Sequence, residues 1–158
     1  MRRAFTMTEM LIVMGMMSIL LTLGLGNLLG SQRKSEMNST LNSLVSDMRE
    51  QRLKSMTGDT EGTAVINSYG VYFGTNEYTV FRGSSYVEGD PANFVISLDP
   101  TLSFSAVTFP SDIVVFSAGS GEVMGYTEGQ NTISLTDTTE GTTKIITINQ
   151  YGVPTSLN

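Results

Sequence analysis

The first half of the chain carries two apolar patterns, one after the other. Residues 10–29 run for 20 positions without a charged side chain. A helix rises ~1.5 Å per residue, so such a run extends ~30 Å, the thickness of a bilayer's hydrocarbon core. Over residues 31–57 apolar side chains instead recur at steps of three and four, which is typical of an amphipathic helix. The pattern predicts one helix from Phe5 to about Thr57 that ends at Gly58, with a transmembrane first half and a second half packed on a sheet.

Beyond Gly58 the chain changes to short runs rich in β-branched and aromatic residues, separated by turn residues. That alternation is typical of β-strands joined by tight connections. The predicted strands are Thr63–Asn67, Gly70–Phe73, Tyr78–Arg82, Phe94–Leu98, Leu102–Val107, Ile113–Ser117, Glu122–Tyr126, Thr132–Leu135 and Thr143–Asn149. Residues 74–77 are predicted to form a tight hairpin turn. The predicted fold class is α+β: a long N-terminal helix, transmembrane in its first half, packed on an antiparallel β-sheet head.

A short motif stands immediately before the apolar run. Arg2 and Arg3 precede the ten residues Ala4-Phe5-Thr6-Met7-Thr8-Glu9-Met10-Leu11-Ile12-Val13. This segment resembles the class III leader junction of type IV pilins and pseudopilins, in which Gly, Phe, Thr, Leu, a variable residue and Glu precede an apolar helix. The chain departs from that pattern with Ala4 in place of glycine, and with Met7 and Met10 where leucine is commoner.

The resemblance implies how the N-terminus is processed and how the chain is divided. A prepilin peptidase would cut between Ala4 and Phe5, and the new Phe5 amine would be methylated. The implied segments are a prepilin leader (1–4), a transmembrane and assembly helix (5–30), an amphipathic second half of that helix (31–57) and a β-rich globular head (58–158).

Ordinary secretory cleavage is an alternative, since Gly24-Leu25-Gly26 fits a small-x-small site after an apolar core. Such a cut would release a secreted β-domain. Two features argue against it. The small residue Ala4 lies ahead of the apolar run, and Glu9 stands where a secretory apolar region normally carries no acid.

Glu9 is the acid at the edge of the apolar run. A carboxylate in lipid costs ~2.5–3.5 kcal/mol at the bilayer centre and less near an edge. The resemblance implies an assembly role, in which the Phe5 amine of a neighbouring subunit neutralises Glu9. The alternative interpretation is that Glu9 is a solvated helix-end acid that reaches the interface, and the motif around it favours the assembly role.

The last third of the chain resembles one branch of this family, the GspH/FimT minor pseudopilins. The segments that carry the likeness are 112–122, Asp-Ile-Val-Val-Phe-Ser-Ala-Gly-Ser-Gly-Glu, and 144–153, Lys-Ile-Ile-Thr-Ile-Asn-Gln-Tyr-Gly-Val. The implied function is a structural subunit of a type IV pilus or type II secretion pseudopilus. The implied partners are other pilin or pseudopilin subunits, the prepilin peptidase, the inner-membrane assembly platform and membrane lipid. The implied location is the inner membrane, single-pass, with the head outside the cytoplasm.

A membrane-anchored binding or adhesion module that does not polymerise is the alternative function. Exposed aromatic side chains would then form the partner surface. The candidates for such a surface are Tyr69, Tyr72, Tyr78 and Tyr86, and packing in the core or at the sheet rim is the other interpretation of the same residues.

Composition argues against an enzyme. The 158 residues include no histidine and no cysteine, which removes the commonest general base, the Ser-His-Asp triad and thiolate chemistry. No cofactor and no metal are expected. The loop acids do not form the dense run of oxygen ligands that calcium uses, and they are interpreted as solvated turn acids: Asp90, Asp99, Asp112, Asp137 and Glu140.

Charge argues against nucleic acid as a partner. The formal net charge is −6, and Arg82 and Lys144 are the basic residues beyond Gly58. The terminal segment Tyr151–Asn158 has no basic residue. Binding to phosphates needs lysine and arginine to displace counterions, so an acidic head is expected to repel DNA.

Overall fold

The computed structural model describes residues 6–60, 62 and 65–157, except for the side chains of residues 23–29 and of Leu157. The chain divides into two units, Met1–Ser39 and Thr40–Asn158. The first is called the N-terminal unit below, and the second is called the body.

Helix α1 is Met7–Thr57, and its C-terminal end is closed by a glycine cap. Gly58 has a φ of 67°, in the left-handed region that glycine enters without a steric cost. The Asp59 amide donates a hydrogen bond to the Lys54 carbonyl at 3.1 Å, which closes the last turn in the Schellman manner. The predicted end of the helix at Gly58 is confirmed.

The predicted fold class is wrong in its transmembrane helix. The first helical stretch with described side chains is residues 7–22, which is 16 residues long. Among the residues that the structure describes, no helix is long and apolar enough to cross a membrane.

The body is rich in β-structure. Over its described residues the strands are β1 (Tyr69–Phe73), β2 (Glu77–Arg82), β3 (Phe94–Ser97), β4 (Leu102–Val107), β5 (Ile113–Phe116), β6 (Thr132–Asp137), β7 (Thr143–Ile148) and β8 (Pro154–Leu157). A short 3₁₀ turn, Pro110–Asp112, leads into β5.

The strands form two antiparallel sheets, so the predicted head with one sheet is also corrected. Sheet 1 has the order β3-β2-β1-β5, and sheet 2 has the order β4-β6-β7-β8 among the described strands. Phe104 of sheet 2 packs edge-on against Phe73 of sheet 1, with ring centroids 5.3 Å apart. A β-sheet with one apolar face needs a second layer to cover that face. Sheet 2 supplies part of the layer that covers sheet 1.

Within the body, the last turns of α1 are tied to sheet 1 by a buried serine. Ser55 is fully buried, and its Oγ lies 3.1 Å from both the Gln51 and the Phe116 carbonyl oxygens. The same oxygen accepts a hydrogen bond from the Tyr69 amide at 3.1 Å. One hydroxyl therefore links the helix to β1 and β5 together.

Seven of the predicted strands are confirmed as β1 to β7, with ends displaced by no more than two residues. The hairpin turn at 74–77 is confirmed as well, since the Gly74 amide donates to the Glu77 carbonyl at 2.9 Å. Cross-strand pairing of Phe73 with Tyr78 sets the register on either side of that turn.

Two strand predictions are wrong and one strand was missed. Glu122–Tyr126 is not a strand: its β-pairing is limited to one isolated bridge between Val123 and Phe116. In the predicted strand Thr63–Asn67, Thr63 and Ala64 lie outside the described residues, and residues 65–67 form no β-strand. Strand β8 was missed because it begins with Pro154, which an edge strand tolerates at its first residue.

Candidate functional site

The N-terminal unit presents an unusual surface, because its apolar helix is uncovered. Every residue from Thr6 to Thr22 is exposed. The ten large apolar side chains between Met10 and Leu21 are each 46–70% exposed. A helix that is apolar on all sides is normally buried, and exposed apolar patches of this kind mark interaction sites. Residues 10–22 are called the exposed apolar stretch below.

The hydroxyl groups of the exposed apolar stretch turn inward to the helix backbone. Ser18 Oγ donates to the Met14 carbonyl at 2.9 Å, and Thr22 Oγ1 donates to the Ser18 carbonyl at 2.8 Å. A hydroxyl that bonds the carbonyl four residues earlier needs no partner outside the helix. These two polar residues therefore leave the outer surface of the stretch essentially apolar.

Glu9 lies in the first turn of α1 and forms a capping box with Thr6. The Thr6 amide lies 3.4 Å from Glu9 Oε2, and the Glu9 amide lies 3.3 Å from Thr6 Oγ1. The Thr6 hydroxyl is also 3.3 Å from Glu9 Oε2. Each side chain thus satisfies the backbone N–H of the other, as the sequence pattern Thr-x-x-Glu does at helix starts.

The capping box gives Glu9 a local role that sequence reasoning missed. The sequence signal for this role is the Thr-x-x-Glu pattern of Thr6-Met7-Thr8-Glu9. A carboxylate near a helix N-terminus is also favoured by the helix dipole. The acid is thereby held exposed at one end of the exposed apolar stretch, where a cation from another chain can reach it.

The residues predicted for processing and methylation are not among those that the structure describes. Ala4, the cleavage residue, and Phe5, the cleavage and methylation residue, lie outside the described residues. Of the three residues predicted to act in processing, methylation and assembly, the structure therefore locates Glu9.

The loop acids of the body hold turns together. Asp99 Oδ1 accepts hydrogen bonds from the Thr101 amide at 2.9 Å and from its hydroxyl at 2.6 Å, and these bonds lower the pKa of Asp99. Buried Asp137 accepts from the Thr139 and Glu140 amides at 2.8 and 3.1 Å. Among the described residues, no group of three or more acidic, histidine or cysteine side chains is arranged to hold a metal ion.

The four candidate surface tyrosines divide into two pairs. Tyr69 and Tyr78 are each 1% exposed and belong to the core, so they offer no partner surface. Tyr72 and Tyr86 are half-buried and stack on each other, with ring centroids 4.2 Å apart and planes at 7°. Tyr72 lies on the interior strand β1, where it pairs with Thr79 of β2 and Ile113 of β5.

An open groove of about 380 Å³ lies in the body beside Tyr72. Its lining includes the polar residues Thr75, Ser105 and Asp112, and Asp112 is the one carboxylate among the lining residues. The lining of the groove includes the phenol of Tyr72 beside this acid, and no lysine or arginine.

Comparison with known proteins identifies no relative of this chain: no family model, no curated protein and no solved structure matches it. The residues and their geometry are therefore the basis for assigning a function.

Proposed function

We propose that this protein is a structural subunit of a helical filament and assembles through its N-terminal helix. The observation that carries the proposal is the exposed apolar stretch, whose side chains are uncovered on every side of the helix. An apolar helix of this kind is stable in water only when other apolar surfaces surround it. The same stretch on further copies of the chain is a surface of matching character.

Polymerisation follows from contact on all sides. A surface used once on each of two subunits closes a dimer, whereas non-identical patches used head-to-tail continue into an open helix of subunits. A helix that packs against neighbours around its whole circumference uses several different patches. The arrangement supports a filament with these helices bundled at its centre.

Glu9 supplies the electrostatic element of this proposal. A carboxylate that becomes buried on assembly needs a cation close by, because an isolated buried charge is very costly. The leader resemblance supplies that cation as the Phe5 amine of the neighbouring subunit, which prepilin cleavage after Ala4 would create. We propose on this basis a minor pilin or pseudopilin of a type IV pilus or type II secretion pseudopilus, with the prepilin peptidase and the assembly platform as partners.

The test separates the charge of Glu9 from its capping function. Glutamine also serves at the third position of a capping box, so Glu9→Gln removes the charge and retains the cap. Thr6→Ala removes the reciprocal cap and retains the charge. We expect Glu9→Gln to lose most incorporation into filaments in the native host, and Thr6→Ala to lose far less.

The matched control is Glu36→Gln. Glu36 is an exposed acid on the same helix, so its substitution changes the net charge equally. Incorporation is measured by immunoblotting of sheared filaments with a loading control for total subunit. Normal incorporation of Glu9→Gln would contradict the charge role, and absence of the wild-type chain from every filament fraction would contradict the proposed function itself.

A further inference from the structure

Four methionines of the N-terminal unit share one face of helix α1. Met7, Met10, Met14 and Met17 follow one another at steps of three, four and three residues, a spacing that aligns side chains along one helical face. They are called the methionine stripe below. Met16 lies roughly 140° around the helix axis from the centre of this stripe, at ~100° per residue.

The methionine stripe is open to solvent. The side chains of Met7, Met10, Met14 and Met17 are 87%, 54%, 70% and 62% exposed. Met37 and Met48, in contrast, are 3% and 1% exposed. Thioether oxidation depends on access to sulfur, so the stripe is open to reagents that the buried methionines exclude.

We propose that the methionine stripe is a modification site for a peroxide oxidant, and that its oxidation blocks assembly of the helix. The assembly consequence rests on the proposed function. In the chemical step, hydrogen peroxide transfers one oxygen atom to the thioether. The O–O bond breaks, an S–O bond forms, sulfur loses two electrons, and the peroxide is reduced to water.

The sulfoxide changes the character of the surface where neighbours pack. It converts a flexible apolar side chain into a polar one. A polar group carried into a dry helix bundle without a hydrogen-bond partner opposes association. Because the stripe runs along one face over three turns of the helix, a neighbour that packs on this face meets several sulfoxides together. In assembled filaments the stripe is covered, so the unassembled subunit is the form that reacts.

The experiment uses the full-length chain and hydrogen peroxide. The decisive variant carries Met7→Leu, Met10→Leu, Met14→Leu and Met17→Leu together, since leucine keeps the volume and apolar character of methionine. Met16→Leu is the matched control, because Met16 is 63% exposed but lies off the stripe. Two readouts are taken: the position of added oxygen by peptide mass mapping, and self-association by sedimentation and chemical cross-linking.

We expect the methionine stripe to be oxidised earlier during peroxide treatment than Met37 and Met48. We expect association of peroxide-treated wild type and Met16→Leu to fall at least ~tenfold. Association of the fourfold variant should fall several-fold less, because Met16 is then the one methionine left on the exposed apolar stretch. Treatment of the oxidised wild type with methionine sulfoxide reductases should restore association.

Three results would overturn the inference. One is oxidation of Met37 or Met48 before the methionine stripe is oxidised. Another is an equal loss of association in the fourfold variant, since exposed Met16, Met56 and Met124 would then carry the effect. The third, no association of untreated wild type, would overturn the proposed function together with the assembly consequence. The first two leave the proposed function standing, so the two failures are distinguishable.

Discussion

The Tyr78 hydroxyl donates a hydrogen bond to Asp47 Oδ2 at 2.5 Å, and this bond joins β2 to helix α1 within the body. The Tyr78 side chain is buried at 1% exposure, and its ring packs edge-on against Phe104 of sheet 2. One side chain thus contacts the helix through its oxygen and the second sheet through its ring. Bonds to a charged acceptor are among the stronger hydrogen bonds in proteins.

Replacing Tyr78 by phenylalanine tests this link. We expect Tyr78→Phe to lower the free energy of unfolding by about 1–2 kcal/mol, because the ring contacts remain and the charge-assisted bond is lost. Urea unfolding followed by far-UV circular dichroism measures the change. Tyr151→Phe is the control, since Tyr151 is 42% exposed and should shift stability by less than ~0.5 kcal/mol. Equal effects of the two variants would show that the Tyr78 bond contributes little.

The same residue predicts a dependence on alkaline pH. Burial is the largest cause that raises the pKa of Tyr78. The hydrogen bond to Asp47 and the negative charge of Asp47 raise this pKa further. An unfolded tyrosine has a pKa of ~10, so above that pH the unfolded chain loses this proton while the folded chain retains it. The stabilisation from Tyr78 is therefore complete below pH ~10 and decreases as the pH rises above it. Urea titrations should show a steeper alkaline decline for wild type than for Tyr78→Phe, and parallel declines would refute the assignment.

Ser55 is expected to be the most sensitive small residue of the helix. Ser55→Ala removes a fully buried hydroxyl that accepts from the Tyr69 amide and lies 3.1 Å from the Phe116 carbonyl oxygen, and the loss of such buried bonds costs ~1–3 kcal/mol. Ser43→Ala on the exposed face of the same helix is the control. Chemical denaturation of both variants gives the comparison, and a neutral Ser55→Ala would mean that water or a backbone shift replaces the hydroxyl.

Gly152 and Gly141 form a matched pair for a steric prediction. Their φ angles are 67° and 69°, so alanine meets similar backbone strain at both positions. An added Cβ at Gly152 would collide with the buried Phe116 ring, whose Cζ would lie 2.9 Å away, whereas Gly141 has no atom within 4 Å. We expect Gly152→Ala to lower the free energy of unfolding by ~1–3 kcal/mol more than Gly141→Ala. Thermal and urea unfolding of the two proteins check this, and matching losses would place the strain in the backbone instead.

The mature N-terminus tests the processing that the leader motif predicts. Intact mass and N-terminal sequencing of the protein from its native host should give a chain that begins at methylated Phe5. A chain that begins at Asn27 would mean ordinary signal cleavage and would remove Glu9 from the mature protein. A chain that still begins at Met1 would contradict prepilin processing in that host.

Local chemistry explains which structural predictions succeeded. The helix ends at Gly58 because glycine accepts a left-handed φ, a property of that residue in any fold. Strands β1 to β7 were found because their β-branched and aromatic residues favour extended backbone over short runs. The capping box is likewise a local feature, because it depends on Thr6 and Glu9, which are three residues apart.

Contacts between distant segments explain the failures. Strand β5 pairs with β1 and not with the strands next to it in sequence, so the division into two sheets follows from pairings that no local pattern contains. Tyr69 and Tyr78 were candidates for a surface but are buried, because sheet 2 and the helix cover that face of sheet 1. The predicted transmembrane span rested on the length of an apolar run alone, and among the described residues no helix is long and apolar enough to span a membrane.

By itself, the sequence determined the order of helix and strands, the end of the helix, the acid ahead of an apolar run and the absence of histidine and cysteine. These features depend on residue identity and on neighbours within about one helical turn or one hairpin. Only the tertiary structure decided which strands pair, which tyrosines are buried, and that Ser55 and Asp47 bind sheet 1. Burial and pairing are settled by competition among segments far apart in the chain, and that competition is resolved when the whole body packs.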